Sequence, residues 1–281
     1  MVALVAIAML TMNTGCSEKK PEPVGEDSTY TVVADTVDTT SVDSAEQIIA
    51  ETPMPKAADE LFDDFFFNFT SNKQLQRSRI LFPLTVNTAE GSRKLQRAEW
   101  KMDKFFRTQG YYTQIFDNTR QMKLVKDTTI NHVTVEKVHL RQGMVEQYSF
   151  IRKDGQWLLA SIDHKSVGDT KNASFLTFLG RFVTDDSYQQ QSVDDPLAYV
   201  GPDPEGEDES KIVHSEIPAS SWADFIPEIP DDMIYNILYG QEYGEGSEKI
   251  LMFKGIANGL ETQLTFKRHG SDWKLVKLNA Q

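Results

Sequence analysis

Residues 59–86 read DELFDDFFFNFTSNKQLQRSRILFPLTV. Leu61, Phe62, Phe65, Phe66 and Phe69 recur with the period of a helix, forming one apolar stripe, so the segment opens with an amphipathic helix and passes through a proline-bearing loop. Sliding the chain by 113 positions puts Phe62, Phe65 and Phe69 on Phe175, Phe178 and Phe182, Gln76 on Gln189, and Pro83-Leu84 on Pro196-Leu197. Trp100 meets Trp222 at an offset of 122. At an offset of 116, Gly143, Gln147, Phe150, Arg152, Trp157 and Leu159 meet Gly259, Gln263, Phe266, Arg268, Trp273 and Leu275. The step from 113 to 122 is a nine-residue insertion in the acidic loop Gly201–Ser210. Matches in this order predict an internal duplication, with one domain over residues 57–165 and a second over 171–281.

Working outward, each copy ends in strands. Met144, Glu146, Tyr148 and Phe150 alternate with Val145, Gln147, Ser149 and Ile151, the two-residue period of a strand. Lys153-Asp154-Gly155-Gln156 is a hairpin turn, and Trp157–Ile162 is the next strand. Copy two ends the same way and adds Asn258-Gly259 as an earlier turn. An opening helix and closing hairpins make an α+β domain, a helix laid on a curved antiparallel sheet.

That order, with a tryptophan on the last strand after a polar turn, resembles the cone-shaped fold of the nuclear-transport-factor-2-like (NTF2-like) superfamily. The opening run also resembles an uncharacterised family of Bacteroides-type lipoproteins, a domain of unknown function assigned to that superfamily. The resemblance covers roughly residues 57–281 and carries no assigned chemistry. It implies a pocket between helix and sheet, which in some relatives serves isomerases, dehydratases or cyclases with an Asp or His base facing a Tyr.

Before the repeat, residues 2–10 (VALVAIAML) form a short apolar run that ends in Thr14-Gly15-Cys16. Residues 1–16 read as a secretory signal segment. Thr14-Gly15-Cys16 is similar to the end of a bacterial lipobox, which implies cleavage before Cys16 and lipidation of its thiol. Residues 17–56, rich in Thr, Ser, Asp, Glu and Pro, read as a disordered tether. The expected location is therefore an envelope membrane, with the protein exported and held there through Cys16. Acyl chains at that cysteine would make the attachment lasting.

The net charge of −13 is uneven: −7 over residues 17–53, +4 over 57–165 and −10 over 171–281. An acidic whole argues against nucleic-acid binding. The opposite signs of the copies favour their pairing within one chain, so a monomer with intramolecular domain pairing is expected. A single cysteine excludes internal disulfides and a thiolate zinc cluster.

Candidate sites are few. Glu146 shares the strand phase of Tyr148 and Phe150, and a carboxylate on the apolar side would have a raised pKa suited to a general base. Glu146, Tyr148, Trp100 and Tyr112 are the ligand-pocket candidates. Copy two has Thr262 where copy one has Glu146. The five histidines show no metal spacing, and no cofactor motif is present. Arg93, Lys94, Arg97, Lys101, Lys104 and Arg107 read as a solvated face interleaved with the core residues Leu95, Trp100, Phe105 and Phe106, as a contact for an anionic glycan or headgroup, or as a face that meets the acidic second copy. The expected function is a non-catalytic module binding a small ligand, a glycan or an envelope protein. The alternative is an isomerase- or lyase-type enzyme using the pocket carboxylate Glu146.

Overall fold

The computed structural model describes residues 56–203, 211–225, 229–241, 243–244, 246–256 and 259–280. The signal segment, Cys16, the tether up to residue 55, residues 204–210 of the acidic loop and Asn258 lie outside them.

The phenylalanine stripe forms helix α1 (Phe62–Ser71), and Phe62, Phe65, Phe66 and Phe69 are all buried. A second short helix, α2 (Lys73–Ser78), follows after Asn72, whose side chain accepts from Leu75 N and caps it. The loop expected at Pro83 is instead strand β1 (Ile80–Thr88). Proline is tolerated there because the register of β1 against its neighbour shifts between Ile80 and Thr85, and a bulge does not need the missing N–H. Strands β2 (Gly91–Leu95), β3 (Tyr111–Phe116), β4 (His132–His139), β5 (Met144–Lys153) and β6 (Gln156–Ser166) complete the first half. The β5–β6 turn forms as expected, with Asp154 and Gly155 at φ 51° and 76°.

The second half runs through α3 (Ala173–Thr184), α4 (Asp186–Gln191), β7 (Val193–Pro202), β8 (Ile212–Ile217), the short α5 (Trp222–Phe225), β9 (Met233–Leu238), β10 (Glu248–Gly255), β11 (Glu261–His269) and β12 (Asp272–Ala280). Two six-stranded sheets result, ordered β2-β1-β6-β5-β4-β9 and β8-β7-β12-β11-β10-β3. The orders correspond position by position, except that each half's third strand closes the other half's sheet. All pairings are antiparallel save β1–β6 and β7–β12, which are parallel. Register breaks between Ser149 and Phe150 and between Thr265 and Phe266 bend both sheets at matching places.

Each helix lies on the inner face of its sheet. Phe62, Phe65, Phe66 and Phe69 pack with Val133, Val135, Phe150 and Trp157 in one core. Phe175, Phe178 and Phe182 pack with Leu264, Phe266 and Trp273 in another. The exchanged strands also touch side by side: Ile115 N donates to Asn236 Oδ1 (2.8 Å), and Thr113 Oγ1 donates to Tyr235 O. The β3–β9 crossing thus joins the described residues into one compact unit.

Candidate functional site

The space under α1 is filled with rings. Phe66 meets Phe105 with centroids 5.0 Å apart, Phe62 meets Trp157 at 5.1 Å, and Phe69 meets Phe150 edge-on at 5.3 Å. Phe65, Phe69 and Phe150 have no exposed surface at all. The second half repeats this filling, with Phe175 against Trp273 and Phe266 at 5.3 Å each.

At the edge of the first core, Glu146 lies on the face of Tyr148, as its strand phase requires. Its Oε2 accepts from Tyr148 Oη at 2.9 Å, and its Oε1 is 3.0 Å from His139 Nε2. Lys137, directly opposite on β4, pairs with Asp103 and sits 5.0 Å from both the Phe105 and Tyr148 ring centres. The raised pKa expected of Glu146 is not found. Burial pushes it up, but the Tyr148 hydrogen bond, Lys137, His139 and His164 together outweigh burial and hold it below the ordinary value. The side chain is about one-quarter exposed, so burial is too shallow to win.

The other two candidates serve different neighbours. Trp100 Nε1 donates to Gln76 Oε1 at 3.1 Å, and that buried glutamine also donates to Asp103 O at 2.6 Å. Tyr112 stacks on Phe106 at 5.0 Å and reaches Asp63 Oδ2 at 3.5 Å. Asp63 also accepts from Tyr239 Oη at 2.5 Å, and burial raises its pKa. Glu146 and Tyr148 therefore come together, while Tyr112 belongs to a separate contact between α1 and the exchanged strands.

The opposite, outer face of the first sheet holds a feature the sequence reading did not single out. Thr134 and Glu136 alternate with the core residues Val133 and Val135 and so point outward. Gln147 and Asn236 are the register partners of Glu136 on β5 and β9. Gln147 Nε2 donates to Glu136 Oε1 (2.8 Å) and Asn236 Nδ2 to Oε2 (2.7 Å). Glu136 is only 3% exposed, and among the described residues no cation forms a salt bridge with it. Burial raises its pKa; the two amide donors and the more distant Lys165 oppose that rise without cancelling it. Above Glu136 opens a cleft of about 390 Å³, whose walls include Gln147, Lys165, Lys171, Leu238, Gln241 and Tyr243. The linker residues Asp169 and Thr170 close one side. Gln241 is buried; its Oε1 accepts from Tyr239 N, and its Nε2 has no hydrogen-bond partner.

The second sheet has apolar residues at the same register positions. Met252 pairs with Gln263 and Gln114 as Glu136 pairs with Gln147 and Asn236, and Ile250 stands where Thr134 does. Phe116, Ile250 and Met252 form a small closed core there with Met122 and Val125. A signal for Glu136 was present in the sequence: at the offset of 116, this strand carboxylate falls on Met252.

Other hollows lie among the described residues. One of about 430 Å³ lies beside Trp222 and Gln189. One of about 360 Å³ lies at the start of α3, and a more open one of about 490 Å³ lies around Gly143 and Arg181. Among the described residues no three His, Asp or Glu side chains are placed to hold a metal ion.

Residues 41–280 match the model of a family described as a domain of unknown function, DUF4348. The crystal structure of an NTF2-like protein from Bacteroides fragilis NCTC 9343 aligns at 39% identity with a TM-score of 0.74, covering 82% of this chain and 99% of that one. Nothing among curated proteins matches the chain.

Proposed function

We propose a function from one premise: the chain belongs to the DUF4348 family and shares the NTF2-like fold of its solved relative. The proposed protein is a non-catalytic binding module, exported and held on an envelope membrane by a lipid at Cys16, that takes its ligand or partner on an outer surface. The observation that carries this reading is the aromatic filling of the cone interior. NTF2-like enzymes need a cavity there, and here Phe65, Phe66, Phe69, Phe105, Phe150 and Trp157 occupy it. Evicting such rings would cost several kcal/mol each, about 3–5 for a truncated buried aromatic.

The reading includes a tandem repeat of one cone-fold domain, over residues 57–165 and 171–281. Its support is that the residues matched by the offsets hold matching places. Trp100 and Trp222 each donate to their glutamine at 3.1 Å. The exchanged third strands supply the intramolecular pairing, so the proposed solution state is a monomer.

Isomerase or lyase chemistry at Glu146 is the second reading. The 2.9 Å contact with Tyr148 favours it. A depressed pKa and the packed rings beside Tyr148 weigh against it.

The test is capture from native envelope with the lipidated protein, followed by chemical identification of what is held. The proposal expects one component, recovered unchanged and held equally by Glu146→Gln. A component converted by the natural chain and not by Glu146→Gln would establish the enzymatic reading. In the same cells, Cys16→Ser should move the protein from the membrane fraction to the soluble fraction or leave it unprocessed. A mature, membrane-bound Cys16→Ser protein would remove the anchor.

A further inference from the structure

We infer that the outer-face cleft above Glu136 is a binding site for an uncharged, polyhydroxylated ligand of monosaccharide size. This rests on the non-catalytic binding reading and names where and what the module binds.

The first argument comes from the matching sheets. Packing the outer face with Phe116, Ile250 and Met252, as the second sheet does, buries apolar surface and leaves no polar group to satisfy. The first sheet instead carries Thr134, Glu136 and Leu238 at those register positions and leaves a cleft of about 390 Å³. A buried carboxylate without a paired cation is a stability cost that an apolar side chain of similar size avoids. The fold therefore does not require Glu136, because the same fold is built without it in the same molecule. A cleft of this volume lies in the range of small-molecule sites, about 300–1,000 Å³.

The second argument is the chemistry of the lining. Each Glu136 oxygen accepts a single described hydrogen bond and has capacity for another. Gln241 Nε2 is buried with no acceptor, an arrangement that costs about 1–3 kcal/mol unless a ligand or water supplies one. Lys165 Nζ gives one of its three protons to Gln147 Oε1 at 2.8 Å. The cleft thus needs a ligand that both donates, to Glu136, and accepts, from Gln241 and Lys165. A hydroxyl group does both, and neighbouring hydroxyls on a ring do so in several directions at once.

The third argument is charge. Among the described lining residues, the acids Glu136 and Asp169 stand against the bases Lys165 and Lys171, so neither sign of charge dominates them. An oxyanion would meet Glu136, and an ammonium group would meet Lys165. A neutral ligand meets neither penalty. Leu238 and the ring of Tyr243 add apolar wall for the C–H face of a sugar ring.

Calorimetric titration of the full chain with N-acetylglucosamine, glucose and myo-inositol, and with inorganic phosphate and putrescine as charged probes, tests this. At least one neutral probe should bind one per chain with millimolar affinity. Glu136→Met, which installs the residue found at the matching position, should weaken it about tenfold or more. Because Glu136→Met could alter the packing, Lys165→Met on the exposed rim serves as a second variant and should weaken binding by about threefold or more. Heat from phosphate or putrescine alone, or none from any neutral probe, overturns the ligand class. A neutral probe held equally by both variants overturns the site and leaves non-catalytic binding standing. A sugar recovered chemically altered would do the reverse, removing the non-catalytic reading while keeping the site.

Discussion

The seam between α1 and the first sheet and the seam between α3 and the second share a scaffold and differ in charge. Gln76 and Gln189 take the same 3.1 Å bond from Trp100 and Trp222, and Trp157 and Trp273 pack under both helices. At the helix starts the likeness ends. In the first half Arg79 pairs with Asp59 through two 2.8 Å bonds, and Asp59 also accepts from Trp157 N at 3.2 Å. At the 113 offset the second half has Asn172 and Ser192, and both side-chain amide atoms of Asn172 are buried without a partner. Contacts kept in both halves are those the fold needs; contacts kept in one half are free to differ, and the outer-face cleft belongs to that second group.

The largest expected effect breaks the comparison at the ion pair. Asp59→Ala strands a buried guanidinium and should cost about 3–5 kcal/mol in urea unfolding, whereas Asn172→Ala removes an unpartnered amide and should not destabilise the protein. Equal losses at both sites would show that the second half hides a pairing equivalent to the first. Next come the shared contacts. Gln76→Leu and Gln189→Leu should each cost about 1–3 kcal/mol, because each leaves a part-buried tryptophan N–H unpaired. A loss in one half only would mean that the two glutamines are not the same scaffold element.

A smaller effect sharpens the contrast of the outer faces. Burial holds the Glu136 pKa above its ordinary 4.5, so the folded chain keeps a proton there that the unfolded chain has released. That stabilising contribution is full below 4.5 and is lost as pH rises through the folded pKa. Glu136→Met has no such loss, so its stability relative to the natural chain should improve as pH rises from about 4 to 7. A difference independent of pH would mean that Glu136 titrates normally. The smallest effect belongs to Glu146, whose pKa is lowered. Its contribution is present above the unfolded value and lost as pH falls through the folded one, so Glu146→Gln should cost under about 1 kcal/mol near pH 7 and nothing in acid.

What the sequence made legible follows from the range of each signal. The α1 stripe and the Asp154-Gly155 turn are local, set by helical period and by backbone angles that glycine accepts, and both form where expected. The matches of Gln76 with Gln189 and Trp100 with Trp222 were visible, but not that the glutamine and tryptophan of each half touch, because 24 residues of chain separate Gln76 from Trp100. The exchange of β3 and β9 was illegible for a related reason. Strand alternation tells which side chains share a face and is silent on which sheet a strand joins. The facing of Glu146 was readable from phase, but its pKa depends on Lys137 and His164 across the ladder. Glu136 was overlooked because β4 is buried on both faces at that point, with Val135 and Val138 around it, and alternation then gives no contrast.

The central claim is that binding belongs to the outer cleft of the first sheet and not to the ring-filled interior beneath α1. The most direct measurement is a map of chemical-shift changes in the full chain as N-acetylglucosamine is added. The account predicts movement of the Gln241 side-chain amide, the Leu238 methyls and the Gln147 side-chain amide, with Phe65, Phe69 and Phe150 unmoved. Shifts concentrated on Phe66, Phe105, Tyr148 and Phe150, with Gln241 still, would contradict it.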